Sequence, residues 1–163
     1  MKKADSFVFR KIGMIYTPFK TASGTPIQSS AAFGVEGYVE VFEKYREGLS
    51  DLDGFERIWL LYMFDRSLEY KSRVIPYLDA RERGLFATRA PSRPNPIGIS
   101  CVRLLAVEGN ILRIMDVDML DNTPLLDIKP YAPRFDHFDV KRCGWLDKVK
   151  KQDHTADNRF EKE

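Results

Sequence analysis

Residues 99–107 and 111–117 are two β-rich runs joined by Glu108-Gly109-Asn110, and this pair constrains the fold more than any other stretch. Gly and Asn tolerate the left-handed backbone of a tight reversal, so the two runs predict an antiparallel hairpin. The neighbouring segments have the same character. Phe7-Val8-Phe9 with residues 12–16 predicts an opening strand, closed by Thr17-Pro18-Phe19. Residues 35–42 set Val35, Gly37, Val39 and Val41 against Glu36, Tyr38, Glu40 and Phe42, which suits a strand with two unlike faces. Residues 58–64 are an unbroken apolar run bounded by charge, of a length that favours a buried strand over a helix. A turn at Asp121-Asn122-Thr123-Pro124 precedes a short strand over 125–128. Residues 43–49 predict a short helix stopped near Gly48, and Asp51-Leu52-Asp53-Gly54-Phe55 a turn. Many short strands with little helix predict a mostly-β domain, specifically a barrel.

At 163 residues the chain fits one domain with a real core. That domain is expected over residues 1–147, with Gly144-Trp145 still packed on its body. Residues 148–163 are nearly all polar and predict a flexible tail. Two further segments lack a periodic pattern: 20–33, rich in Thr, Ser and Ala, and 67–83. Loops of that length inside a compact domain are often functional.

Several function classes fall away. No run approaches the roughly 20 apolar residues of a membrane helix, and the basic N-terminus lacks the apolar stretch of a signal peptide. Cys101 and Cys143 belong to no CxxC pattern and read as free thiols of a cytoplasmic protein, although their spacing leaves a disulfide open. His137 and His154 stand in no metal-ligand spacing, so no metal is expected. There is no Walker A loop, no GxGxxG after a strand and no GxSxG elbow. The net charge of +2 does not by itself call for nucleic acid. Arg81, Arg83, Arg89 and Arg93 nevertheless stand against Glu82 alone, a local excess that suits either phosphates or a solvated loop.

Two segments can carry chemistry. Pro91, Pro94 and Pro96 fix the backbone three times between Arg89 and Gly98. Arg89, Arg93 and Asn95 therefore hang on a stiff loop and lose less entropy on gripping a ligand. Guanidinium forks match carboxylates and phosphates at two points, and Gly98 admits close approach to the backbone. The alternative is a rigid corner whose arginines face water. The second segment carries Asp116, Asp118, Asp121 and Asp127, which suit ribose hydroxyls or an ammonium, or act as turn formers. Asp121 reads as a turn former, and Trp59, Tyr62 and Phe64 as core.

Together these segments resemble the TrmO family of tRNA methyltransferases, also called TsaA or YaeB-like. The likeness runs from Ile12-Gly13-Met14-Ile15-Tyr16-Thr17-Pro18-Phe19 through Leu52-Asp53-Gly54-Phe55 and Ile58-Trp59-Leu60 to about Phe135. It is densest in Gly84-Leu85-Phe86-Ala87-Thr88-Arg89-Ala90-Pro91-Ser92-Arg93-Pro94-Asn95-Pro96-Ile97-Gly98 and in Asp118-Met119-Leu120-Asp121-Asn122-Thr123-Pro124-Leu125-Leu126-Asp127-Ile128-Lys129-Pro130-Tyr131. The resemblance implies a TrmO-like β-barrel with short helices, a methyltransferase outside the Rossmann class. It also implies a homodimer that binds S-adenosyl-L-methionine near its interface. The implied substrate is N6-threonylcarbamoyladenosine next to the anticodon of a threonine tRNA, methylated on N6.

By position, the implied cofactor contacts are Gln28, Ser29, Ser30, Asp65, Arg66, Arg89, Ile99, Asp116, Val117 and Asp118. Arg93, Asn95 and Lys129 are the implied substrate residues, with Arg93 or Lys129 pairing the threonyl carboxylate. No general base is assigned; Asp127 and Tyr131 are its candidates, and Asp127 equally suits orienting Lys129. The longer bacterial members have a second C-terminal domain that is not found after Tyr131, so tRNA contacts are expected from the dimer surface or from Lys148, Lys150 and Lys151. Two alternatives stay open: a methyltransferase acting on another nucleoside or small molecule, and a non-catalytic RNA-binding barrel. Against the latter, no basic and aromatic stripe is evident in the sequence.

Overall fold

The computed structural model describes residues 6–150 and 154–161. Among them are eight strands: β1 (Gly13–Tyr16), β2 (Glu36–Val41), β3 (Arg57–Met63), β4 (Arg73–Val74), β5 (Arg83–Gly84), β6 (Ile97–Glu108), β7 (Ile111–Met115) and β8 (Thr123–Pro130). Six close into an antiparallel barrel in the order β1-β2-β7-β6-β3-β8, while β4 and β5 pair as a separate ribbon. Closure leaves the barrel no unpaired edge. The expected hairpin is the β6–β7 pair, reversed at Gly109, whose φ of +67° a β-carbon would strain.

The period of two in the sequence becomes the barrel interior. Ile58, Leu60 and Tyr62 of β3 point inward, as do Val102 of β6, Leu112 and Ile114 of β7, Val39 and Val41 of β2, and Ile15 of β1. The pleat sends alternate side chains to opposite faces, so one apolar face per strand fills the core. One irregularity decides where charged residues go. Leu60 stands opposite Ile128, and Tyr62 stands opposite Leu125, so β8 carries an extra residue at this point. The bulge keeps Leu125 and Ile128 both inward and turns Asp127 and Lys129 to the outer wall.

Some expectations need correction. Phe7-Val8-Phe9 does not join the sheet; β1 starts at Gly13 and these side chains are exposed. The short helix expected over residues 43–49 is present and is of the 3-10 type. β8 starts two residues before the expected strand and ends two after it. The flexible tail is also not what residues 154–161 show. Phe160, a lone aromatic in polar text, is buried against Val74, Leu85, Ala90 and Tyr77. The segment is tied by backbone bonds from Gly24 N–H to the Ala156 oxygen (2.9 Å), Ala156 N–H to the Thr25 oxygen (2.7 Å), Ile27 N–H to the His154 oxygen (2.9 Å) and Leu68 N–H to the Phe160 oxygen (3.1 Å). One buried ring and a row of paired backbone groups hold a segment that average polarity predicts to be loose. Lys151 lies outside the described residues. Cys101 and Cys143 are both free, and no helix among the described residues is long and apolar enough to cross a membrane.

Candidate active site

A cavity of about 300 Å³ opens at the barrel end where β3 leaves and β6 and β8 enter. It has four kinds of wall. The proline-dense loop supplies Thr88, Arg89, Pro91 and Arg93, the residues after β3 supply Phe64, Asp65 and Arg66, the Thr25–Gln28 stretch supplies a third side, and Ala156, Phe160 and Glu161 supply the fourth.

The loop is stiff beyond what its prolines impose. The Arg93 guanidinium donates to the backbone oxygens of Thr88 (3.1 Å) and Ala90 (3.3 Å), which closes the loop on itself. Phe64 N–H donates to the Pro96 oxygen at 2.7 Å and fastens the loop to the end of β3. Arg89 is then the guanidinium free to turn across the cavity, where it donates to the Gln28 side-chain oxygen. That contact joins two segments that only the fold brings together.

On the floor, Ser100 donates to Asp118 Oδ1 at 2.5 Å, and the Tyr62 and Ser100 hydroxyl oxygens are 3.0 Å apart. With the Ser100 proton given to Asp118, Tyr62 is the donor to Ser100. The chain Tyr62–Ser100–Asp118 therefore ends on a carboxylate facing the cavity. Burial is the main reason the Asp118 carboxyl is pushed up to about 6, against bonds from Ser100, from its own and the Ser29 backbone, and the field of Arg89, which all favour the charge. Burial, then the Asp118 charge, pushes the Tyr62 phenol far up, so it stays protonated. Gly98 makes this arrangement possible, because a β-carbon there would lie 2.2 Å from the Tyr62 ring. The close approach that Gly98 permits is thus taken by the protein's own tyrosine.

The structure brings Gln28, Asp65, Arg66, Arg89, Arg93, Ile99 and Asp118 to one cavity. Ser29 reaches it only through its backbone bond to Asp118, and Ser30 is exposed outside. Asp116 and Val117 do not line it. Val117 is fully buried in the core. Asp116, at φ +69°, turns its carboxylate to Arg57 (2.9 Å) and Arg103 (3.6 Å) and accepts the Gly34 N–H. Asn95 is exposed beyond the cavity rim. Lys129 pairs with Asp127 at 2.8 Å on the outer wall, and Tyr131 packs edge-on against Trp59, so within one chain neither base candidate reaches the cavity. Asp121 accepts Thr17 N–H and Lys20 from more than a hundred positions away, so it braces the chain after β1 against this turn, contacts that a local turn former does not make. Sequence reasoning missed Tyr62, Ser100, Tyr77, Phe160 and Glu161. Ser100 alone left a signal, a hydroxyl in the middle of an apolar strand.

The residues suit a ligand with an aromatic ring, a cation and a carboxylate. Tyr62, Phe64, Ile97, Ile99 and Met119 provide apolar faces, Asp65, Asp118 and Glu161 provide carboxylates, and Arg66 and Arg89 provide guanidinium groups. That is the donor set S-adenosyl-L-methionine requires. Among the described residues no three His, Cys, Asp or Glu side chains converge as a metal site would need.

A closed antiparallel barrel with an amphipathic cavity at one end, and no βαβ crossover among the described residues, defines a small β-barrel ligand-binding domain. The chain belongs to the family described as the tRNA-methyltransferase O N-terminal domain, which matches residues 14–137. It is 56% identical over 140 residues to a probable S-adenosyl-L-methionine-binding protein of Pyrococcus abyssi, covering 86% of this chain and 76% of that one. It is 36% identical over 139 residues to a tRNA (adenine(37)-N6)-methyltransferase of Escherichia coli, covering 79% of this chain but 59% of that enzyme. A crystal structure of TrmO from Pseudomonas aeruginosa superposes with a TM-score of 0.77 at 34% identity, over 91% of this chain and 67% of that one.

Proposed function

We propose that this protein transfers a methyl group from S-adenosyl-L-methionine to N6 of N6-threonylcarbamoyladenosine, next to the anticodon of threonine-accepting tRNA. The observation that carries the reading is the single cavity in which Arg89, bonded to Gln28, faces the Asp118 floor between aromatic walls. The names of the Pyrococcus abyssi and Escherichia coli relatives support the cofactor and an adenine N6 of tRNA as acceptor; the threonylcarbamoyl group and the threonine tRNA rest on the family resemblance.

The cofactor supplies a methyl group activated by a sulfonium. Arg89 and Gln28 bind its carboxylate, while Asp118, aligned by Ser100 and Tyr62, holds its cationic end. Arg93 and the proline loop set the rim, with Asn95 beyond it, where a threonyl carboxylate meets the Arg93 charge. Lys129 is too far around the wall to share that role within one chain. Methyl transfer is an in-line displacement, so most of the barrier reduction comes from positioning. The N6 proton becomes acidic only as the new C–N bond forms, so the site needs no strong base. We assign the active species as a homodimer in the cytoplasm, which predicts a solution mass twice that of one chain.

The test is methyl transfer to two preparations of the same tRNA, with and without the threonylcarbamoyl group, read by nucleoside mass spectrometry. Methylation of the modified tRNA alone is expected. Equal transfer to both would move the acceptor to plain adenosine, and transfer to neither, with cofactor bound, would favour a small-molecule acceptor. The chain spans 59% of the Escherichia coli enzyme it matches.

A further inference from the structure

The basic and aromatic stripe missing from the sequence is assembled in three dimensions. Phe86 is 75% exposed, although it sits on the short helix Leu85–Ala87 that leads into the cavity loop. The Arg93 guanidinium lies 5.6 Å from the centre of its ring. Trp145, some sixty residues further along the chain, donates its indole N–H to the Ala87 oxygen at 2.7 Å and so docks against that same helix. Arg83 lies 5.6 Å from the Trp145 ring centre. Two aromatic rings and two guanidinium groups thus form a ledge that reaches the cavity rim through Arg93.

The charge balance of the ledge is positive. Arg89 and Arg93 bond to neutral oxygens, from Gln28 and from the backbone, and form no ion pair among the described residues. Arg83 is held by Asp79 at 2.6 Å, and Glu82 is drawn to Arg73 at 3.3 Å, which removes the nearest acid from the surface balance. Around Trp145 the stretch 141–148 adds Lys141, Arg142 and Lys148, while its one acid, Asp147, folds back to accept the Cys143 N–H. At Phe86 an exposed ring beside an unpaired guanidinium suits a base on the ring and a phosphate on the charge, while the half-buried Trp145 ring extends the apolar face.

We infer that Phe86 and Trp145, flanked by Arg83 and Arg93, form a docking ledge for the unpaired RNA nucleotides on either side of the target adenosine. This rests on the tRNA reading above and adds the surface that reading lacks. A base drawn into a cavity leaves its loop neighbours without stacking partners, and aromatic faces next to the cavity replace them. The ledge also gives the domain its own hold on RNA, through side chains rather than net charge.

The experiment measures binding of a labelled RNA hairpin with an unpaired loop, and of the same duplex without a loop, to full-length protein with S-adenosyl-L-methionine present. Wild type is expected to prefer the looped RNA. Phe86→Ala and Trp145→Ala should each weaken that binding by about tenfold, as loss of one stacked base does. Phe86→Trp should retain it, and cofactor affinity should be unchanged in all three. Looped-RNA binding unaltered in both alanine variants overturns the ledge while leaving tRNA methylation standing. A Phe86→Ala protein whose RNA affinity holds but whose solution mass halves makes the ledge a subunit contact instead. If wild type binds cofactor yet neither binds the hairpin nor methylates tRNA, the ledge and the tRNA reading fall together.

Discussion

Asp118 holds a charge where burial disfavours one, and that tension has two measurable results. Its carboxyl is raised to about 6 in the folded chain, above the roughly 3.9 of an unfolded aspartate. The folded state therefore holds that proton more tightly. The resulting stabilisation is present below the unfolded value and is lost as pH rises through about 6. Cofactor affinity runs the other way, since the ionised carboxylate is the form that holds a cation. The apparent Kd for S-adenosyl-L-methionine should rise about tenfold per pH unit below about 6. Asp118→Asn should abolish that pH dependence in titration calorimetry, weaken binding at pH 8 by roughly tenfold or more, and melt at a higher temperature than wild type at pH 8. An Asn variant that binds normally at pH 8 would remove Asp118 from the site. Tyr62→Phe is a finer probe. It deletes one hydroxyl from a buried chain and leaves Ser100 without its donor, which should cost about 1 kcal/mol in denaturant unfolding.

Elements, rather than single residues, explain which candidates reached the cavity. The β8 bulge sends Asp127 and Lys129 outward, and the backbone reversal at Asp116 sends its carboxylate to Arg57 and Arg103. Asp116 is thus a brace between the end of β7 and the neighbouring β3 and β6. Asp116→Ala should destabilise the barrel toward the lower end of about 3–5 kcal/mol, because both arginines keep some contact with water. Its unfolding curve should shift while cofactor affinity per folded molecule does not. The segment 154–161 acts in the opposite sense. Phe160→Ala should leave the barrel folded, speed hydrogen exchange at the Gly24 and Ile27 amides that bond to it, and weaken cofactor binding. Unchanged exchange at those amides would mean the segment is not a wall of the cavity. Strand alternation and the hairpin were legible in the sequence because each depends on neighbours in the chain. The bulge was not, since it shows only when two strands are set side by side. The docked tail was not, since one aromatic among polar residues carries no periodicity.

For the molecule as a whole, composition said little and arrangement says much. A net charge of +2 hides a ledge where Arg93, outside any ion pair among the described residues, stands over the exposed Phe86 ring. The barrel and the cofactor class were readable in the sequence, and the proline loop it singled out lines the cavity. The partners were not readable. Arg89 meets Gln28 across sixty-one positions, Trp145 meets Ala87 across fifty-eight, and Asp118 meets Ser100 across eighteen. Those contacts turn a set of plausible residues into one cavity with a charged floor and an arginine across it.

Isothermal titration of wild type beside Arg89→Ala decides whether this cavity holds S-adenosyl-L-methionine through Arg89. One cofactor bound per chain by wild type, with affinity reduced at least about tenfold in the variant while its melting temperature holds, is the predicted result. Equal binding by both proteins, or no binding by folded wild type with or without tRNA, would contradict it.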